Sequence, residues 1–420
     1  MSLPRFIQIH TLHNYPAALL NRDDAGLAKR LPYGDAIRTR ISSQCLKRHW
    51  RVADDRHALS RLGVPMAVRS RAFVDRIRAH LIAKGNSEHI AETVALALRD
   101  ALKKDLSKLI KEASKAKPAK KGKAAKIVDD EMDMDSAEGD VADQKQAILL
   151  GTAEYAYLTQ ICAEVAEAVS DVSQARLTML QRLDREKANL QEMKHGSGLE
   201  SALFGRMVTS DLLASRDAAV YVAHAFTVHE AQVENDYFTV VDDLLREAGE
   251  HGSAGIFDTE LASGLYYGYV VIDVPQLVAN LEGCPMQDWA TLPPERRELA
   301  ARVVENLLHL IATVSPGAKR GSTAPFGWAR FMLVEAGDWQ PRSLAGAFQN
   351  ALPLHTPALR QAAVDRLAGE ITQLDAAYGA PLARRFLSLD EVQVPQGERL
   401  SLSALAGWTR EAIMQAGAGV

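Results

Sequence analysis

The residues with the most chemical potential are crowded into one early stretch. Between positions 21 and 51 stand eight cations: Arg22, Lys29, Arg30, Arg38, Arg40, Lys47, Arg48 and Arg51. Only three acids, Asp23, Asp24 and Asp35, oppose them, in a chain whose total charge is -4. The composition from Ser42 to about Arg61 reads as a helix, with Ser42 or Ser43 as N-cap. In a helix over 42–51, the spacing of three and four puts Gln44, Lys47 and Arg51 on one face. The free backbone N–H groups and the dipole at the start of that helix favour an anion. Hydroxyls, an amide and two cations converging there suit a phosphodiester backbone. Such groups grip phosphate and sugar and do not read base sequence. The competing reading is an ordinary solvated basic helix, and spacing alone does not choose between them.

Other candidates are sparser. Asp23-Asp24 offers half of a divalent-metal site for phosphoryl chemistry, but adjacent carboxylates diverge and nearby arginines offer them ion pairs. The stretch Pro316-Gly317-Ala318-Lys319-Arg320-Gly321-Ser322-Thr323 has glycines, cations and hydroxyls without Walker spacing. It remains a candidate phosphate-facing loop through Lys319 and its backbone amides. His10, His224 and His229 fall in expected strands, and no metal-binding histidine motif or nucleophile elbow is present. Met207 reads as a core residue. Tyr237-Phe238-Thr239 sits in a polar excursion, where an aromatic ring is free to stack on an unpaired base. Nothing assembles a general acid, a base and a nucleophile.

The elements that must hold these residues read as follows. Residues 6–12 form a strand, 13–40 a loop, and 66–112 a helical region in which Phe73, Ile77 and Leu81 are four apart. Residues 103–126 carry ten lysines and 129–143 eight acids. Blocks of that kind bury too little surface to offset ordering entropy, so a disordered charged loop is expected at about 113–145. Helix returns over 147–169 and continues to about 194, where Gly196-Ser197-Gly198 marks a boundary. Strands are expected over 220–228, 265–274 and 331–334, and a buried helix over 299–314. Residues 230–262 form an excursion between two strands, and the last third alternates short helices and loops. An α+β core with two insertions follows.

A length of 420 residues with 47% hydrophobic content supports a sizeable core. No apolar run is long enough to span a bilayer, and the first residues lack signal-peptide character. Cys45, Cys162 and Cys284 are distant and odd in number, which argues against disulfides and zinc. A cytoplasmic protein without cofactor is expected. The net charge argues against coating nucleic acid with the whole surface but allows a local basic groove.

Five segments, in this order, carry a family resemblance. They are Leu20-Asn21-Arg22-Asp23-Asp24, Arg40-Ile41-Ser42-Ser43-Gln44-x-Leu46-Lys47-Arg48, Gly205-Arg206-Met207-x-Thr209-Ser210, Phe238-Thr239-x-Val241-Asp242-Asp243-Leu244 and Pro316-Gly317-Ala318-Lys319. Together they resemble the crRNA-binding backbone subunit (CasC type) of the type I-E CRISPR Cascade complex. The resemblance implies a modified RRM-like (ferredoxin-like) palm from 1–60, 196–229 and 263–420, helical fingers over 61–195 and a protruding thumb over 230–262. It implies a non-catalytic protein whose copies stack along the spacer of a CRISPR RNA and display its bases to a target DNA strand. The implied partners are further copies of the chain and the large, small, crRNA-processing and 5'-end-capping subunits. The implied RNA contacts are Arg22, Lys29, Arg40, Ser42, Gln44, Lys47, Arg51 and Lys319, with Met207, Phe238 and Thr239 wedging against bases. Gly34-Asp35-Ala36-Ile37-Arg38 is less basic than the family pattern. Alternatives are a metal-dependent ribonuclease using Asp23 or Asp24, and a stand-alone RNA-binding module.

Overall fold

A computed structural model describes residues 3–115, 147–206, 210, 212–213, 215–241, 253–379 and 382–415. The expected charged loop and Met207 lie almost wholly or wholly outside these residues. The chain divides into two units. One comprises Met1–Leu62, Ala219–Ala279 and Cys284–Val420; the other comprises Gly63–Ala218 and Asn280–Gly283.

The first unit is built on one mixed sheet. Its strands are β1 (Phe6–Ala18), β2 (Arg30–Tyr33), β3 (Ala36–Ile41), β6 (Val220–Val222), β7 (Ala225–Thr227), β8 (Gln232–Val241), β9 (Ser253–Asp273), β10 (Ala329–Gly337), β11 (Ala383–Ser388) and β12 (Gly397–Arg399). The order across the sheet is β12-β11-β10-β1-β9-β7-β3-β2, and β6 and β8 also pair with β9. The helices of this unit are α1 (Ser43–Arg51), α8 (Val274–Glu282), α9 (Glu298–Thr313), α10 (Arg320–Thr323), α11 (Leu359–Tyr378) and α12 (Leu402–Met414).

The central strands are buried on both faces, so polar as well as apolar residues of these strands lie inside. Every residue from Phe6 to Leu12 is buried. Leu12, Tyr267, Phe331, Leu333 and Phe386 on the sheet pack with Leu367 and Ile371 of α11. A buried charged network crosses β1, β10 and β11. Glu335 accepts from Arg342 at 2.7 Å and from Arg384 at 2.7 Å, and it faces His10 at 3.3 Å.

Residues 13–40 are not one loop. β1 runs through them to Ala18, and β2 and β3 form a hairpin that pairs Arg30 with Thr39. Pro32 hid β2 from sequence reading, yet β2 is an edge strand, where a missing N–H is tolerated. Gly34 turns the hairpin with φ +61°, and a Cβ there would strike the Gln349 carbonyl. The final third is also more regular than expected: α11 is a 20-residue helix and β11 joins the sheet beside β10. His224 and His229 lie outside the named strands, which break at Val222 and Thr227.

The 230–262 excursion is a ribbon. β8 pairs with β9 from Gln232↔Ser263 to Val241↔Ser253. β9 is 21 residues long, about 70 Å at roughly 3.3 Å per residue. Only its later residues, from Ala262 on, pair with β1, β6 and β7.

The second unit is helical: α2 (Phe73–Ala83), α3 (Glu88–Lys103), α4 (Leu106–Lys115), α5 (Thr152–Ala168), α6 (Val172–Glu192) and α7 (Leu199–Phe204). A two-stranded ribbon of β4 (Ala67–Ser70) and β5 (Ile148–Gly151) accompanies them, where sequence reading expected helix alone. Ile77, Leu98, Leu158, Ile161, Leu180 and Leu183 share its core. The unit runs on to Ala218, past the glycine boundary read at 196–198. Gly198 packs against Ala67 so tightly that a Cβ would come within 2.6 Å of the Ala67 nitrogen.

Candidate nucleic-acid interface

The early basic segment folds as a turn, a hairpin and a capped helix. Asp23 Oδ1 accepts from the amides of Ala25 at 3.0 Å and Leu27 at 2.9 Å. Arg22 and Ala28 form a bridge across that turn. The Lys29 amide donates to the Asn21 carbonyl, and the Arg40 amide donates to the Lys29 carbonyl at 2.8 Å. Arg30 pairs with the largely buried Glu260 of β9, which also accepts from the Ala28 amide at 2.8 Å. The turn carrying Arg22 and Lys29 is thereby fixed to the sheet.

Ser42 is the N-cap of α1. Its Oγ accepts from the Cys45 amide at 3.3 Å, and its own amide donates to Asn21 Oδ1 at 2.8 Å. The Ser43 amide donates to His224 Nδ1 at 3.0 Å. Ser42 is buried and two early amides are engaged, so the helix start has fewer donors to offer an anion than its sequence suggests. Trp50 anchors the opposite face of α1 in the core. That leaves Gln44 and Arg48 exposed, with Lys47 and Arg51 half-buried. Burial holds the Lys47 ammonium below the usual lysine range. Behind α1 lies a cavity of about 30 Å³ lined by Thr11, Leu46, Trp50 and Tyr266, too small for a nucleotide.

A third segment joins from far along the chain. The Ala318 amide donates to the Leu19 carbonyl at 2.8 Å, and Lys319 Nζ donates to Thr259 Oγ1 at 2.6 Å. Cations from all three segments surround Cys45. Burial pushes its thiol up to about 11, while Lys29, Arg48 and Arg320 pull it down. His49 is lowered first by burial, then by Arg320 and Arg48. His224 is lowered first by burial, then by Arg40 and Lys29. The fields of Lys29, Arg40, Arg48 and Arg320 therefore overlap on one face. A face of this kind attracts phosphates by charge, with affinity that falls as salt rises.

The structure thus brings Lys29, Arg40, Ser42, Gln44, Lys47, Arg51 and Lys319 to one region, with Arg22 on the adjoining turn. Arg48 and Arg320 belong to it as well. Arg48 is one of the eight cations of the 21–51 segment but is not among the contacts that the resemblance implies. Arg320 follows Lys319 directly, and that adjacency is its signal in the sequence. Arg38 leaves the group: it is fully buried and donates to the carbonyls of Thr227 at 3.1 Å and Phe348 at 3.0 Å. Phe238 and Thr239 stand in β8 opposite Phe257 and Ile256. The base-wedging expected of their side chains, like that of Met207, lies outside the described residues. Among the described residues, no group of three or more His, Cys, Asp or Glu side chains is placed to hold a metal ion. No helix among them is long and apolar enough to cross a membrane.

The chain matches the family model described as CT1975-like protein over residues 7–410. A solved chain from a "CRISPR RNA-guided surveillance complex, pre-nicking" is similar at 25% identity and a TM-score of 0.67. That alignment covers 97% of this chain and 100% of the other. A chain from a "CRISPR RNA-guided surveillance complex" aligns over 97% of this chain and 99% of its own. At 20% identity and a TM-score of 0.52, it shows likeness of fold alone. No curated protein matches.

Proposed function

The chain belongs to the CT1975-like protein family, and from that premise we propose that it is a crRNA-binding backbone subunit of a type I-E Cascade complex. The observation that carries the reading is the overlap of cations from three chain segments around Cys45 and α1. That face holds the phosphate backbone of the CRISPR RNA and leaves its bases free to pair with target DNA. The sheet unit acts as an RRM-like palm, the helical unit as fingers, and the β8–β9 ribbon as a thumb. The paired part of the ribbon spans the ten residues of β8, about 33 Å at roughly 3.3 Å per residue, which suits a part that reaches a neighbouring copy. Its exposed residues Glu234, Asp236 and Asp258 are acidic, so its part is shape, with Phe238 stacking and Thr239 wedging beside it, not phosphate attraction. The protein is a scaffold in the cytoplasm and not an enzyme, and its partners are further copies of itself and the other Cascade subunits.

Isolation of the full chain from cells that transcribe a CRISPR array tests this. RNA of uniform length carrying spacer sequence is expected to co-purify, together with several partner proteins. RNA of random sequence bound to the chain alone would favour a stand-alone RNA-binding module.

A further inference from the structure

The stretch 315–330 carries two large side chains that packing does not explain. Phe326 is 71% exposed and Trp328 69%, the highest values for large hydrophobic residues among those described. Two large aromatic side chains so exposed and only two residues apart mark a candidate contact surface.

The backbone between the two rings is pinned. Ser315 Oγ donates to the Gly327 carbonyl at 3.0 Å and accepts from the Gly327 amide at 2.9 Å. Gly327 lies against β1 so closely that a Cβ would come within 2.7 Å of the Asn14 carbonyl and 2.9 Å of the Tyr15 ring. The Phe326 amide donates to the Ala324 carbonyl at 2.7 Å, and Ala324 adopts a left-handed φ of +40°. The Pro325 ring abuts Gly317, whose Cβ position lies 2.6 Å from Pro325 Cγ. Two exposed rings on a fixed strap lose little conformational freedom when something stacks on them.

Charge selects what that something is. Residues 315–330 include Lys319, Arg320 and Arg330 and no acid. Arg320 is exposed, and its field reaches Cys45 and His49 on α1. The strap therefore continues the basic face and adds flat apolar surface to it. Cations beside aromatic faces suit single-stranded nucleic acid, whose bases stack while its phosphates pair with the cations. An apolar protein partner would gain nothing from three cations.

We propose that Phe326 and Trp328 form a platform on which unpaired bases of single-stranded RNA stack, beside phosphate held by Arg320. The proposal rests on the RNA-binding reading of the neighbouring face and adds a contact to bases.

The test compares two fluorescently labelled oligomers of equal length, an oligouridine and an abasic ribose-phosphate chain, bound to the full chain. Phe326→Ala with Trp328→Ala is expected to weaken oligouridine binding by about tenfold or more and to leave the abasic oligomer unaffected. Phe326→Tyr with Trp328→Phe is expected to retain binding. Both positions are exposed, so the melting temperature of the RNA-free variants should match that of the parent. Unchanged oligouridine binding in the alanine variant would overturn the platform while leaving the basic face standing. Equal loss for both oligomers would also overturn it. Loss of self-association with RNA binding intact would overturn it in favour of a protein contact. Failure of the parent chain to bind either oligomer would remove both readings.

Discussion

Arg206 and Glu154 form a two-bond ion pair, at 2.6 and 2.8 Å, with 4% and 0% of their side chains exposed. The same carboxylate accepts from the Gly151 amide at 3.0 Å, so one glutamate caps α5 and fixes the segment after α7. Arg206 sits in one of the segments that carry the family resemblance, yet its guanidinium faces inward.

Arg206→Ala leaves a buried carboxylate without its cation. The expected loss is about 3–5 kcal/mol, read by urea unfolding. Arg206→Met combined with Glu154→Leu should recover part of that loss, because neither member of the pair is left without the other, although Arg216 also loses the Glu154 charge. A single-variant loss below about 1 kcal/mol would show that the pair does not anchor the segment.

Lys47→Ala with Arg51→Ala removes two cations from the basic face. RNA affinity should fall alike for all sequences. The slope of log affinity against log salt should flatten by about 1.4, at roughly 0.7 per phosphate contact on a single strand. An unchanged slope in a salt titration would rule out a phosphate clamp at α1.

Asp23→Asn with Asp24→Asn tests the nuclease alternative. Asp23 Oδ1 is occupied by two backbone amides of its own turn, and an asparagine oxygen can keep both. RNA incubated with Mg²⁺ should stay intact with parent and variant alike. Cleavage by the parent and none by the variant would establish the ribonuclease reading.

His309 gives a pH signature. It stacks on His57 with ring centroids 3.6 Å apart. Burial, then His57 and Arg56, lower its pKa from 6.5 to about 4, against a smaller opposing pull from Asp55. Below pH 6.5 the unfolded chain binds this proton and the folded chain does not, so acid favours unfolding. The contribution is fully present above pH 6.5 and is lost as pH falls toward about 4. His309→Gln should therefore flatten the fall in unfolding free energy between pH 6.5 and 4. An identical slope in parent and variant would show that His309 does not contribute.

Much of the basic face is legible in the sequence because its signals are local. The cap Ser42, the spacing of Gln44, Lys47 and Arg51, and the cations of the 21–51 segment lie within one or two helical turns or one hairpin, where chain geometry alone sets neighbours. The long apolar helices α5 and α9 were legible for the same reason, through their period. β2 was not, because Pro32 and Gly34 signal breakage unless the strand is known to be an edge strand that then turns. The inward course of Arg38 was not legible either, since its partners Thr227 and Phe348 lie far along the chain.

The sequence by itself determined that a basic, capped helix exists near the N-terminus, that a charged block interrupts a helical region, and that α and β elements are mixed. Only the tertiary structure decided which cations share a face. Arg320 comes beside α1 because Thr259 of β9 accepts from Lys319 and the Leu19 carbonyl, just past β1, accepts from the Ala318 amide, which fixes the loop that follows α9. Burial likewise withdrew Arg38 and exposed Phe326 and Trp328. Charge type is a property of each residue, but electrostatic fields add only over distances of several ångströms, and those distances are set by sheet order and not by sequence order.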